Sequence, residues 1–339
     1  MSGFNYSAYY QRVQDSKTLQ IPKERMSWIE RFEPPDRAYE VVLYLGCNIL
    51  RTPDIAADVT WVFEHLGVDF VATAGVQFCC GITWDRGHDD DLGRGVSQRS
   101  VQRLAAYQPK TVVFWCPSCN VHYEDIIMGR DGREAPFAIT HCTTFLAERA
   151  QRGELPWVRD VPRRVALHTH VGREGHAVGR RRSYEDRTSC TSVLEHVPGV
   201  EVLGWVNAPP EFDYDCGTSS ADVERGRWLE IRAGLVDEAR AMGADTLVTI
   251  SHACQREWCD AGDEGLEVRN YISLVADSLG IERGYEVDLL GTYKRTAEPK
   301  QIVDRSRPAW SSHGLSEQRA LEIASKYTWG ATSPRSTAP

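Results

Sequence analysis

The stretch KTVVFWCPSC, from Lys110 to Cys119, joins a short β-branched apolar run to a Cys-x-x-Cys motif. A continuously apolar run of this length reads as a strand buried on both faces, as in a parallel sheet, and it delivers Cys116 and Cys119 at its carboxyl end. Two earlier runs do the same: VVLYLG (41–46) precedes Cys47, and DFVATAG (69–75) leads to Cys79-Cys80-Gly81. Between them, PDIAADVTWVFEHLG (53–67) sets Ile55, Val59, Val62, Phe63 and Leu66 at helical spacing, with Pro53 at its start and Gly67 at its end. The pattern predicts β-loop-α units of an open α/β sheet, in which sites form beyond the carboxyl ends of the strands. Three strand ends would then bring five thiols together.

Downstream the pattern returns. TVVFWCPSC (111–119) aligns without a gap on TLVTISHAC (246–254), so Cys119 matches Cys254 while Cys116 matches Ser251. Cys80-Gly81 matches Cys216-Gly217, since 36 positions separate Cys80 from Cys116 and 35 separate Cys216 from Ser251. Cys79 then corresponds to Asp215. The strand VVLYLGC (41–47) has its analogue in RVALHTH (164–170), which puts Thr169, between His168 and His170, near the place of Cys47. The chain reads as an internal duplication whose second site is degraded. A helix over Trp228 to Met242, with Ile231, Leu235 and Ala239 on the same face, supports the second copy.

A chain of 339 residues with 42% hydrophobic and 26% charged residues has ordinary globular composition and can bury a sizeable core. The formal charge of -9 disfavours nucleic-acid binding. No apolar run approaches the roughly 18 residues of a membrane span, and the first residues lack the features of a secretory signal. These features lead us to expect a cytoplasmic protein. Ten cysteines in a chain of this length are too sparse for a disulfide scaffold. Clustered thiols in a reducing compartment indicate metal binding or catalysis.

Five inert buried thiols, all at strand ends, would be an improbable coincidence, although free cysteine is often buried. Zinc takes four ligands in a tetrahedron and would leave one of the five unused. Soft thiolates suit iron–sulfur chemistry equally well. We therefore expect Cys47, Cys79, Cys80, Cys116 and Cys119 to form one iron–sulfur centre. Trp84, Trp115 and Phe78 would keep water from it, backbone amides after Cys80 and Cys116 could donate to its sulfurs, and His122 or His141 could deliver protons.

The first copy, a cysteine followed at family spacings by Cys-Cys-Gly and Cys-x-x-Cys, resembles the CCG cysteine-rich domain of the B-type subunit family of heterodisulfide reductases. The resemblance spans 41 to about 290. It implies two duplicated CCG domains with mostly parallel sheets, related by a pseudo-two-fold axis, at 39–155 (intact site) and 156–295 (degenerate site). They would be flanked by an N-terminal extension (1–38) and a C-terminal segment (296–339). In that segment TAEPKQIVDRSRP reads as a linker, SEQRALEIASKY as a short helix and TSPRSTAP as a disordered tail.

The resemblance also implies a noncubane 4Fe-4S centre held by the five thiolates, which would bind a substrate sulfur at iron and cleave or make a disulfide in two one-electron steps. The second half would lack a cluster, or His168, His170, Cys216, His252 and Cys254, with Asp215 and Cys259 nearby, could hold zinc. Cys142 and Cys190 read as ordinary thiols. The arginines of GREGHAVGRRRSYEDR (172–187), namely Arg173, Arg180, Arg181, Arg182 and Arg187, could receive an anionic substrate or form a solvated loop.

The function implied is that of the B-type member of a heterodisulfide reductase-like sulfur-oxidising complex. Its partners would be a flavin-bearing A-type subunit, a 4Fe-4S C-type subunit and a lipoate-binding sulfur carrier. The alternatives are an electron relay for a lactate, glycolate or succinate dehydrogenase, and a structural zinc module.

Overall fold

The computed structural model describes residues 5–86, 89–130, 132, 134–168, 177–206, 225–284, 287–296 and 298–326. Eight strands build two wholly parallel four-stranded sheets. The first contains β1 (Val41–Gly46), β2 (Phe70–Ala74), β3 (Thr111–Phe114) and β4 (Ala138–His141), in the order β2-β1-β3-β4. The second contains β5 (Arg163–His168), β6 (Val200–Val206), β7 (Thr246–Thr249) and β8 (Glu267–Asn270), in the order β6-β5-β7-β8. The two orders are the same once the second is renumbered, and the apolar runs around Cys47 and Cys116 become the central pair of their sheet, as their lack of alternation requires. Every residue of β1 is buried.

The chain leaves β1 towards β2 and then returns across the sheet to β3, so β1 and β3 flank the point where the strand order reverses. In open α/β sheets this is where a crevice opens at the carboxyl ends. Cys47 follows one of these strands and Cys116 the other.

The helix Pro53–His65 buries Ile55, Ala56, Val59, Val62 and Phe63, with Pro53 in its first turn, as the sequence predicts. It packs against the helix Tyr271–Ser278 of the second half. Leu43 and Val113 from one sheet, and Val165, Leu167 and Val248 from the other, belong to one continuous apolar core. Asp58 lies on this seam: Arg283 Nε reaches its Oδ1 at 2.6 Å, and the Ser273 hydroxyl donates to Oδ2 at 2.7 Å. The helix Arg225–Ala241 buries Trp228, Ile231, Leu235 and Ala239, the face predicted from their spacing.

The C-terminal segment differs from expectation. Residues read as a linker form two helices, Pro299–Arg305 and Arg307–Ser312, followed by the expected helix, here Glu317–Lys326. Ile302, Val303 and Trp310 are buried with Leu19, Leu289, Leu290 and Tyr293. Two prolines and several charges suggested a linker, but Pro299 and Pro308 both occupy first-turn positions, where proline favours a helix. The tail TSPRSTAP lies outside the described residues.

Candidate metal centre

Gly46 and Gly81 shape the loops that carry the cysteines. Gly46 has φ +80°, and a Cβ there would stand 3.3 Å from Cys119 Sγ and 3.8 Å from Cys116 Cβ, so a side chain would crowd the site. Gly81, with φ +94°, has even less room: a Cβ would fall 2.5 Å from Ser97 Oγ and 2.7 Å from the Gly93 carbonyl oxygen. Both positions need left-handed backbone that glycine alone adopts without strain. The third residue of Cys-Cys-Gly is therefore fixed by packing against the helix Asp90–Ala106.

The structure brings all five predicted thiols together. Cys47 Sγ lies 3.6 Å from Cys79 Sγ. Cys116 and Cys119 both face Gly46, and Cys80 is close enough to Cys79 and Cys119 for each to shift the others' pKa. Cys47, Cys79, Cys80 and Cys119 are buried and Cys116 is partly exposed.

Protons are unevenly shared along this chain of sulfurs. Cys79 accepts from Cys47 and Cys80, and these bonds, with help from Tyr10 and the Gly81 amide, hold it well below the usual thiol range. Cys116 is also lowered, first by the bond from Cys119 and further by the amides of Cys119 and Ser118 and the charge of His141. Donation to Cys79, followed by burial, pushes Cys47 up. Cys119 rises through its bonds to Cys116 and Cys80. At Cys80 the bond from Cys119 lowers the pKa, but the bond to Cys79 and burial together prevail and the thiol is raised. Cys79 and Cys116 are thus the sulfurs whose thiolate form the site favours most, and ligation of a metal requires all five as thiolates.

Among the described residues, no three His, Cys, Asp or Glu side chains surround a single metal-ion position. The five sulfurs form an open chain, which suits a cluster of several metal atoms better than one tetrahedral ion. The donor set, its burial and the backbone amides aimed at Cys79, Cys80 and Cys116 fit an iron–sulfur cluster.

Around the sulfurs, Phe78 and Trp115 are buried, and the Trp115 ring stacks on Tyr271 at 5.6 Å. Trp84 is half-buried and covers the Cys79 side. The Phe78 carbonyl accepts from the hydroxyls of Tyr44 and Ser100. His122 Nε2 lies 3.5 Å from Ser97 Oγ, whose hydroxyl donates to the Cys80 carbonyl at 2.6 Å. His141 directs Nε2 to the Trp115 carbonyl at 3.1 Å and Nδ1 to Thr143 Oγ1 at 2.7 Å, with an Asp186 carboxylate oxygen 3.0 Å from Nδ1.

Sequence reasoning gave the N-terminal extension no place at the site. Tyr10 Oη lies 3.3 Å from Cys79 Sγ, and Tyr6, Tyr9 and Tyr10 join Cys47, Cys79 and Trp84 in one cluster. Burial, then the charges of Cys79 and Cys47, push the Tyr10 phenol above its usual range, which keeps its proton on oxygen. The available signal was the run Asn5, Tyr6, Tyr10, Val13: a cap followed by a helical face.

Only part of the second candidate set lies among the described residues. His170, Cys216, Asp215 and Arg173 lie outside the described residues. His168 is buried, packs on the Trp258 ring at 4.6 Å, and neither of its ring nitrogens has a hydrogen-bond partner among the described residues. Cys254 accepts from the Ser251 hydroxyl at 3.2 Å. Burial and the charges of Arg256 and Arg51 push His252 down to about 3, so it is neutral. Cys259 packs with the C-terminal helices, away from the site.

Cys142 and Cys190 are buried and burial raises both, Cys142 to about 12, in keeping with ordinary thiols. Arg182 pairs with Glu124 at 2.5 Å and Glu185 at 2.6 Å, and Arg181 with the same two acids. Arg187 lies over the Trp205 ring at 3.8 Å. Internal carboxylates and an aromatic ring thus engage the described arginine side chains of this segment.

Comparison with known proteins accords with the geometry. Residues 41–124 match the CCG cysteine-rich domain. The CCG match covers β1 to β3 and all five thiols. Beyond it, the chain is homologous to the D-type subunit of heterodisulfide reductases, where the sequence alone suggested the B-type. It is 27% identical over 287 residues to the D-type subunit of the dihydromethanophenazine:CoB–CoM heterodisulfide reductase of Methanosarcina barkeri, a match covering 76% of this chain and 64% of that one. It is 28% identical over 280 residues to the corresponding protein of Methanosarcina mazei, covering 77% and 64%. The chain thus spans under two thirds of the length of these relatives. An aspartate racemase homologue from Pyrococcus horikoshii OT3 aligns over 72% of this chain and 99% of its own, with 10% identity and a TM-score of 0.29, too slight a likeness for argument. No helix among the described residues is long and apolar enough to cross a membrane.

Proposed function

We propose that this chain is a redox subunit that makes or breaks sulfur–sulfur bonds at one noncubane 4Fe-4S centre held by Cys47, Cys79, Cys80, Cys116 and Cys119. The observation carrying this reading is the gathering of five cysteines at the ends of three parallel strands, with Cys47 Sγ 3.6 Å from Cys79 Sγ and Cys116 and Cys119 both against Gly46. When bound, such a centre supplies single electrons at an iron that a substrate sulfur can approach. Overall a disulfide takes two electrons and two protons to give two thiols, and the reverse yields the disulfide.

The protein's own groups have separable tasks. Amides of Gly81, Ile82, Ser118 and Cys119 orient the sulfurs, and Phe78, Trp115 and Tyr10 exclude water on the buried side. Partly exposed Cys116 marks the side from which a substrate approaches.

In this reading the chain works in a cytoplasmic heterodisulfide reductase-like complex that oxidises sulfur. A flavin-bearing subunit and a cubane-cluster subunit exchange electrons with it, and a lipoate-binding protein presents the sulfur. The names of the relatives support the disulfide chemistry. The second half lacks three of the cysteine equivalents, having Ser251 where the first has Cys116, which leaves one chemical site.

Anaerobically purified protein should contain about four irons and matching sulfide per chain and give an electron paramagnetic resonance signal in one redox state. Zinc without iron would refute the cluster, and failure to reduce any disulfide with a low-potential donor would refute the sulfur chemistry.

A further inference from the structure

The helix Tyr6–Lys17 precedes the matched CCG domain, yet it supplies an aromatic cover to that domain's sulfurs. Asn5 caps it, its side chain accepting from the Ala8 amide at 2.9 Å, and the helical period then sets Tyr6, Tyr10 and Val13 on one face. Val13 is anchored in the core shared by both halves. Tyr6 stacks on Trp84 at 4.9 Å with the rings 6° from parallel, and Tyr10 stacks on it at 5.3 Å and 26°. Trp84 belongs to the short helix immediately after Cys-Cys-Gly. The three rings thus lie beside Cys79, with the Tyr10 hydroxyl 3.3 Å from its sulfur.

Cys79 Sγ lies 3.3 Å from Tyr10 Oη and 3.6 Å from Cys47 Sγ. A cysteine gives up its proton on becoming a ligand and ceases to be a donor. Tyr10 is not among the ligands and remains one.

We propose that Tyr10 sets the reduction potential of the centre: its hydroxyl donates to the Cys79 sulfur in the cluster-bound protein and, with Tyr6 and Trp84, shields that sulfur from water. This rests on reading the five thiols as an iron–sulfur site. A hydrogen bond to a ligand sulfur draws electron density from it and favours the more negative, reduced state, so it raises the potential. The ring stack holds the hydroxyl in place, and the donor itself comes from outside the matched residues 41–124.

The test compares anaerobically purified full-length wild type with Tyr10→Phe and Tyr10→Leu. Tyr10→Phe keeps the ring and should hold the wild-type amount of iron, but its half-reduction in a redox titration followed by electron paramagnetic resonance should shift to a more negative potential. An unchanged potential overturns the proposal. In metal-free protein, iodoacetamide should label Cys79 of Tyr10→Leu several-fold faster than in wild type, with Cys142 labelled equally in both. Equal rates at Cys79 overturn the cover. If wild type holds no iron, the proposed function fails, and the labelling experiment still decides whether Tyr10 shields Cys79.

Discussion

Cys80 occupies the middle of the sulfur chain, receiving from Cys119 and giving to Cys79. Removing it takes away one of the five proposed ligands and the one between Cys79 and Cys119. Cys80→Ala should therefore lose most of its iron and its visible absorbance, measured by iron assay and spectrum on anaerobic protein. Unchanged iron would show that Cys80 is not a ligand. The five thiols were legible in the sequence because each follows an apolar strand and glycine marks the Cys-Cys loop. Tyr10 was not, since it lies 69 positions from Cys79 and is joined to it only by folding.

The lesson at the scale of elements concerns charge and proline. Strands and the helix Pro53–His65 were legible because their faces are almost wholly apolar, whereas Pro299–Arg305 and Arg307–Ser312 bury few residues each and expose charges on the rest. Their packing depends on partners far away in sequence. Trp310 supplies much of it: buried against Val303 and Leu19, it donates from Nε1 to the Val303 carbonyl at 2.8 Å. Trp310→Ala should cost about 3–5 kcal/mol, the range for deleting a large core aromatic. The check is urea unfolding of metal-free protein, where a loss under about 1 kcal/mol would return these helices to the status of a linker.

Across the whole molecule, the two halves are joined by buried charge as well as by apolar surface. Asp54 lies in the first turn of the helix Pro53–His65 and interacts with Asp288, far along the second half. Burial, then the neighbouring carboxylate of Asp58, raises Asp54 to about 6. Burial, then the charge of Asp54, raises Asp288 to about 7. Both acids hold protons in the folded state at pH values where the unfolded chain, with carboxyls near 4, has released them. Their contribution to stability is therefore fully present below about pH 4 and is lost as pH rises through about 6 to 7. Unfolding of metal-free protein should need less urea at pH 8 than at pH 5, and Asp288→Asn should flatten that difference. Asparagine suits the site because residue 288 has φ 58°. A pH dependence of the same size in Asp288→Asn would exclude this acid as its source.

The residues that close over Cys79 are secured from the opposite end of the chain. The Tyr293 hydroxyl donates to the Leu19 carbonyl at 2.7 Å, the Lys23 amide to Ser312 Oγ at 2.8 Å, and His313 Nε2 lies 3.0 Å from the Ile21 carbonyl oxygen. These latches span 274 to 292 positions, among the longest loops the chain can close. During synthesis every cysteine of the centre emerges long before residue 293, so the aromatic cover can be latched only after the sulfurs are in place. The order of emergence therefore puts docking of the end of the N-terminal helix against residues 293–313 after all five cysteines have been made.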